Sequence, residues 1–123
     1  MEATELRISN IVNCNDKRHH EPYIVVESIT SECINVDFRP YNLNELEPIP
    51  LTEDWLLKLG FVKRADCEFD FWKNSMWKLK EYKNKKYYQL YHCSDEVDCT
   101  MIKFVHQIQN LFYSLTGEEL KII

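Results

Sequence analysis

Glycine is nearly absent: Gly60 and Gly117 are the only two in a chain of 123 residues. A phosphate-cradling glycine-rich loop cannot be built from two residues so far apart. There are only four prolines, and no low-complexity stretch or internal repeat. Long flexible linkers are therefore excluded, and one domain spanning residues 1–123 is expected. No run approaches the ~18–20 continuous apolar residues of a membrane span. The start, Met1-Glu2-Ala3-Thr4-Glu5, lacks the basic and then apolar order of a signal peptide, and there is no Asn-x-Ser/Thr site. The expected location is cytoplasmic, with no membrane partner. The five cysteines, at 14, 33, 67, 93 and 99, are odd in number and contain no Cys-x-x-Cys pair. They read as reduced thiols acting as small hydrophobes rather than as a disulfide framework.

What is present suffices for a core, since 45% of the residues are hydrophobic and 13% aromatic. A chain of this length buries roughly two-thirds of its unfolded surface. Charge is unevenly spread. The total is −5. Residues 1–62 carry 11 acids and 5 bases, whereas 63–86 carry 4 acids and 8 bases, net +4. Residues 87–123 return to net −3. The mean charge argues against a non-specific nucleic-acid binder, but the basic block keeps RNA or DNA as a possible partner.

The pattern predicts an α+β fold. Glu5 to Ile8, Ile11-Val12, Tyr23 to Ile29 and Cys33 to Val36 read as short strands of a small antiparallel, SH3-like N-terminal sheet occupying about 1–50, with a hairpin at Ser31-Glu32. Residues 37–50 read as extended and irregular. A helix-meander-helix part follows over about 51–123. Its short first helix has Thr52 as cap, Glu53 and Asp54 in the first turn, and a Leu51–Leu56 staple. Gly60 ends that helix in a left-handed conformation, with Phe61 returning on Leu56. Three alternating runs then predict a three-stranded antiparallel meander: Cys67 to Lys73, Met76 to Tyr82 and Lys86 to Cys93. The last element is a long C-terminal amphipathic helix of about four turns, capped at Thr100 and closed by Gly117. Met101, Phe104, Val105, Ile108, Leu111, Phe112 and Leu115 form its apolar stripe, and Lys103, His106, Gln107, Asn110 and Ser114 its polar one. Leu120 to Ile123 can add an edge strand.

Three blocks carry a resemblance: Glu5-Leu6-Arg7-Ile8-Ser9-Asn10 at the start, residues 49–61 around Thr52-Glu53-Asp54-Trp55 and Leu59-Gly60-Phe61, and residues 105–120 around Asn110-Leu111-Phe112 and Thr116-Gly117-Glu118-Glu119-Leu120. Together they resemble a family of small phage and prophage proteins of Bacteroides- and Flavobacterium-type bacteria. The resemblance spans the chain, but the shared residues are mostly caps, core positions and helix ends. It implies a genomic setting rather than a chemistry, and in that setting small proteins often act by binding a virion component, a host enzyme or a host defence complex. The lysines at 78–86, the cysteines and the His19-His20 pair depart from the family pattern.

No catalytic or metal site is readable. His92-Cys93, Asp95, Asp98 and Cys99 are irregularly spaced for zinc, even with Cys67, and His92 and Cys93 would point to opposite faces of a strand. His19-His20 with Cys14 reads as a solvated loop. His106 reads as a hydrogen-bonded boundary residue of its helix. The acids at 95, 96 and 98 precede a helix start, where negative charge is favoured anyway. For an enzyme built on His92, Cys93 or Cys99, the five cysteines and four histidines provide parts but no signature of nucleophile, base and orienting group. The expectation is therefore no enzyme, no cofactor and no metal.

The one stretch with a functional character is the basic, aromatic meander. Trp72, Lys78, Lys80, Tyr82, Lys83, Lys85, Lys86 and Tyr88 are the candidate partner-binding residues, with Lys73, Trp77 and Tyr87 interleaved. Such mixtures bind single-stranded nucleic acid by charge and base stacking. Lysines on a sheet also simply shield a solvent face and discourage edge pairing. The expected function is a phage or mobile-element protein that binds a host protein, in its sharper form an anti-CRISPR-type inhibitor of an RNA-guided defence nuclease. The alternative is a single-stranded nucleic-acid-binding module using the 72–88 meander.

Overall fold

The computed structural model describes residues 6–14, 23–29, 33–36, 39–42, 45–63, 70–73, 77–82, 87–92, 95–96 and 101–122. The fold is α+β: three small antiparallel sheets, one short helix and one C-terminal helix. The chain divides into two compact units. One comprises Met1–Pro50 and Phe104–Glu119, the other Leu51–Lys103 and Leu120–Ile123.

In the first unit, β1 (Ile11–Cys14) lies between β2 (Ile24–Val25) and β6 (Leu46–Glu47). A second sheet has the order β3 (Ser28–Ile29), β4 (Ile34–Val36), β5 (Arg39–Tyr41). The apolar run 23–29, read from sequence as one strand, changes sheets midway. Its Val26 N–H donates to the Asn10 carbonyl, and the next residue, Glu27, donates to the Asn35 carbonyl. The expected hairpin forms across this second half, with Ser28 opposite Asn35 and Ile29 opposite Ile34. Pro40 lies on β5, an edge strand, where the missing N–H breaks no interior ladder. Leu6, Val12, Ile24, Val26, Ile34, Tyr41 and Leu46 form the core of these sheets.

The C-terminal helix α2 (Val105–Thr116) belongs to this unit and is shorter than its periodicity suggests. The expected cap, Thr100, lies outside the described residues. The helix begins at Val105 because the residues before it serve extended pairings. Phe104 bridges to Pro50, and the Val105 N–H donates to the Ile49 carbonyl. Gln107 supports the start by accepting from the Phe104 N–H. Gly117 closes the helix at φ 77°, in the left-handed region, donating to the Tyr113 carbonyl. The buried stripe is Val105, His106, Ile108, Gln109 and Phe112. His106, read as polar-face, is buried, with its ring parallel to that of Phe104 at 6.0 Å. Leu115, read as apolar-face, is 43% exposed.

Gln109 explains how a glutamine tolerates complete burial. Its Oε1 accepts from the Ile11 N–H at 2.7 Å, and its Nε2 donates to the Ser9 carbonyl at 3.1 Å. It thus serves backbone groups at the start of β1 as a neighbouring strand would. Beside it, Asn10 Nδ2 donates to Asn110 Oδ1, and Arg7 donates to Asn110, Glu119 and the Gln109 carbonyl. The Arg7 guanidinium also lies 4.2 Å from the Tyr113 ring centre.

The second unit is built on a five-stranded sheet of order β11-β10-β9-β8-β7: β7 (Val62–Lys63), β8 (Asp70–Lys73), β9 (Trp77–Tyr82), β10 (Tyr87–His92) and β11 (Asp95–Glu96). The expected meander is its centre, and two-residue strands extend both edges. Helix α1 (Glu53–Lys58) is capped by Thr52, which accepts from the Trp55 N–H. Its end is a Schellman motif: Phe61 donates to the Leu56 carbonyl and Gly60 to that of Leu57, with Gly60 at φ 93°. Leu56, Leu59, Phe61, Phe71, Leu79, Tyr88, Leu90 and Ile102 are all buried in this unit. None of Leu120, Lys121 and Ile122 is in a strand. Among the described residues, no helix is long and apolar enough to cross a membrane.

Candidate functional site

Register decides which meander side chains share a face, because successive side chains in a strand alternate. Tyr82 pairs with Tyr87, Lys80 with Gln89, Lys78 with Tyr91 and with Trp72. These residues therefore lie on one side of the sheet. On the other side, Leu79 pairs with Leu90 and Phe71, Glu81 with Tyr88, and Trp77 with His92 and Lys73.

The first side holds the lysines among rings. The Lys78 ammonium is 5.6 Å from the Trp72 ring centre and 4.9 Å from that of Tyr91. The Lys80 ammonium is 5.4 Å from the Tyr82 ring centre. Tyr82 stacks on Tyr87, with centres 5.5 Å apart and planes 12° from parallel, and its hydroxyl shares a hydrogen bond with that of Tyr91. Each cation–π contact at such a half-exposed site is worth about 0.5–1 kcal/mol. That is enough to bias the otherwise free lysine stems toward a fixed position. Trp72, Lys78, Lys80, Tyr82, Tyr87 and Tyr91 are all half-buried.

Of the residues singled out in the sequence, Trp72, Lys78, Lys80 and Tyr82 come together here. Tyr88 does not. It is 2% exposed on the opposite side, edge-on to Phe71 at 6.3 Å. Adjacent tyrosines on a strand cannot share a face, and the Tyr82–Tyr87 pairing places Tyr87 with the lysines. Lys83, Lys85 and Lys86 lie outside the described residues. Tyr91 was missed by sequence reasoning, although it stands at period two from Tyr87 and its signal was available.

The opposite side is core at its centre and acidic at one end. Glu81 there joins Leu51, Thr52, Glu53, Asp54 and Tyr88 around a cavity of about 350 Å³. Burial first, then the charges of Glu81 and Glu53, push the Tyr88 hydroxyl up to about 12. Glu53 is also paired with Lys63 at 3.2 Å.

Among the described residues, the remaining candidates form no cluster. His92 packs on Trp77, with ring centres 4.4 Å apart. His19, His20, Cys67, Cys93, Asp98 and Cys99 lie outside the described residues, as does the Cys14 side chain. Among the described residues, no group of three or more His, Cys, Asp or Glu is placed to hold a metal ion. No family model, curated protein or solved structure matches the chain.

Proposed function

We propose that the chain is a non-enzymatic binding protein that recognises an acidic surface of a partner protein through the Trp72, Lys78, Lys80, Tyr82, Tyr87 and Tyr91 face. The observation that carries this is the placement of Lys78 over two rings and Lys80 over a third. Tyrosine and tryptophan supply large contact area at low entropy cost and dominate protein interfaces, and pre-ordering side chains lowers the cost of association. The lysines add charge complementarity, which raises the encounter rate and selects acidic partners. The net positive charge of residues 63–86 within an acidic chain supports the same polarity.

The resemblance of the three blocks to phage and mobile-element proteins supports a host protein as partner, met in the host cytoplasm. In its sharper form the target is an RNA-guided defence nuclease and the protein an anti-CRISPR-type inhibitor. The lysine block would then dock on acidic residues of that nuclease.

A second reading is favoured by the number of rings: single-stranded nucleic acid stacking on the same face. Against it, Tyr82 already stacks on Tyr87 and lies under Lys80, so a base would have to displace contacts the sheet has made. The test is purification of the tagged chain from a phage-infected host, with co-purifying protein identified by mass spectrometry. A stoichiometric protein lost from a Lys78→Glu/Lys80→Glu variant supports protein docking. Retention of labelled single-stranded RNA or DNA instead, with affinity falling steeply as salt rises, supports the second reading.

A further inference from the structure

The geometry of the lysine face narrows the kind of acidic partner that fits it. Lys78, Lys80 and Tyr82 stand at alternate positions of β9, so their side chains leave the same side of the sheet about 6.6 Å apart. Neither lysine is paired with a carboxylate among the described residues. Each ammonium lies instead against its own rings, Lys78 against Trp72 and Tyr91, and Lys80 against Tyr82. The two charges are thus held by different side chains. They form two separate cations rather than one point that a single acid could share. A ring occupies only part of the ammonium surface, which leaves N–H groups to donate to a further acceptor.

The lysine row is one strand wide. Trp72 on β8 and Tyr91 on β10 are the cross-strand partners of Lys78 on its two sides. The strands that carry them are about 9.6 Å apart, twice the ordinary strand spacing. An α-helix with its side chains is about 10–12 Å across, too wide to settle between those rings. A single extended chain is narrow enough. It also repeats its same-side residues every ~6.6 Å, so acids at alternate positions meet Lys78 and Lys80 in register. The third same-side residue then reaches Tyr82, which is stacked on Tyr87 and whose hydroxyl is engaged with that of Tyr91. What remains on offer there is ring edge, on which an apolar side chain packs without displacing the stack.

We infer that the face takes an extended segment of the partner protein, with acidic residues at two alternate positions and an apolar residue two places beyond them. The segment lies along β9. Its acids meet Lys78 and Lys80, and its apolar side chain meets Tyr82 and Tyr87. This rests on the proposal that the lysine face is a protein-docking surface and names the epitope it recognises.

The test is NMR titration of the ¹⁵N-labelled chain with short end-blocked peptides of glycine–serine background. Two probes carry glutamate at alternate positions and leucine two residues beyond, one probe for each chain direction. Controls place the two glutamates side by side or replace both with glutamine. At millimolar concentration one alternate-acid probe is expected to shift the amides of residues 72, 78, 80, 82 and 91 saturably, and the glutamine control is not. The side-by-side isomer is expected to bind about two- to fivefold more weakly, the size of one exposed ion pair, and Lys78→Met or Lys80→Met to weaken the alternate-acid probe by the same factor. Methionine keeps most of the apolar stem and removes the charge, so both variants should fold. Equal binding of the side-by-side isomer, saturable shifts undiminished in both variants, or no shifts from any probe overturns the inference. If the co-purifying protein is nevertheless lost from Lys78→Glu/Lys80→Glu, the docking face stands and only the extended epitope falls. If that protein is retained, both fall. Shifts of the same amides by single-stranded oligothymidine, with none from the peptides, also overturn the inference and favour the nucleic-acid reading.

Discussion

At the residue scale, the fold depends on polar side chains that are buried because both their ends are used. Gln109 serves the Ile11 N–H and the Ser9 carbonyl from inside the first unit. Gln109→Leu is close in size but leaves both backbone groups without that partner. Each orphaned group costs about 1–3 kcal/mol, so a marked fall in the urea midpoint is expected. Ser114→Ala, on the exposed side of α2, should stay within about 0.5 kcal/mol. Tyr88 gives a residue-scale signature in pH. Its hydroxyl is held protonated to about 12, against an ordinary value of 10.0. Below pH 10 both folded and unfolded chains carry the neutral phenol. Between about 10 and 12 the unfolded chain loses that proton first, so stability must fall as pH rises through this window. Absorbance titration of the folded chain should show a late-ionising tyrosine, and Tyr88→Phe should remove that late step.

At the element scale, the ends of α1 show why some structure is legible in residues alone. Thr52, Glu53-Asp54 and Gly60-Phe61 each satisfy a local backbone demand, so their meaning does not depend on distant contacts. The meander was legible for a similar reason: alternation at period two survives any packing. Gly117 is a sharper case. A Cβ there would meet nothing within 4 Å, so Gly117→Ala tests backbone conformation alone at φ 77°. A loss of about 1 kcal/mol is expected from chemical denaturation. What was not legible depended on partners far along the chain. The run 23–29 contains no signal that it changes sheets at Val26, because the acceptors are Asn10 and Asn35. The start of α2 was read too early because Met101 and Phe104 continue its periodicity, while Ile102 and Phe104 bridge to Tyr88 and Pro50. Among the described candidates Tyr88 alone lies on the other side of the sheet from Lys78 and Lys80, since only the register of β9 against β10 tells which of two adjacent tyrosines joins the lysines.

At the scale of the whole molecule, two units are each closed by segments distant in sequence. Residues 104–119 return to the unit begun by 1–50, and 120–123 return to the unit begun at Leu51. Residues 6–10 and 105–119 meet in the first unit, where Arg7 and Asn10 bond Asn110 and Arg7 also bonds Glu119. Residues 51–61, with α1 and its caps, lie in the second, whereas Ile49 and Pro50 belong to the first. Those residues therefore account for architecture. On the proposed reading, recognition falls to the lysine and aromatic face.

The most direct test of that claim compares two charge reversals in one pull-down from an infected host. Lys78→Glu/Lys80→Glu alters the proposed face, while Lys58→Glu/Lys121→Glu makes the same change in net charge at exposed positions elsewhere. Both proteins must first show the unaltered circular dichroism spectrum. The account predicts that the co-purifying protein is lost from the first variant, with affinity down at least about tenfold, and retained by the second. Equal retention by both variants would contradict it.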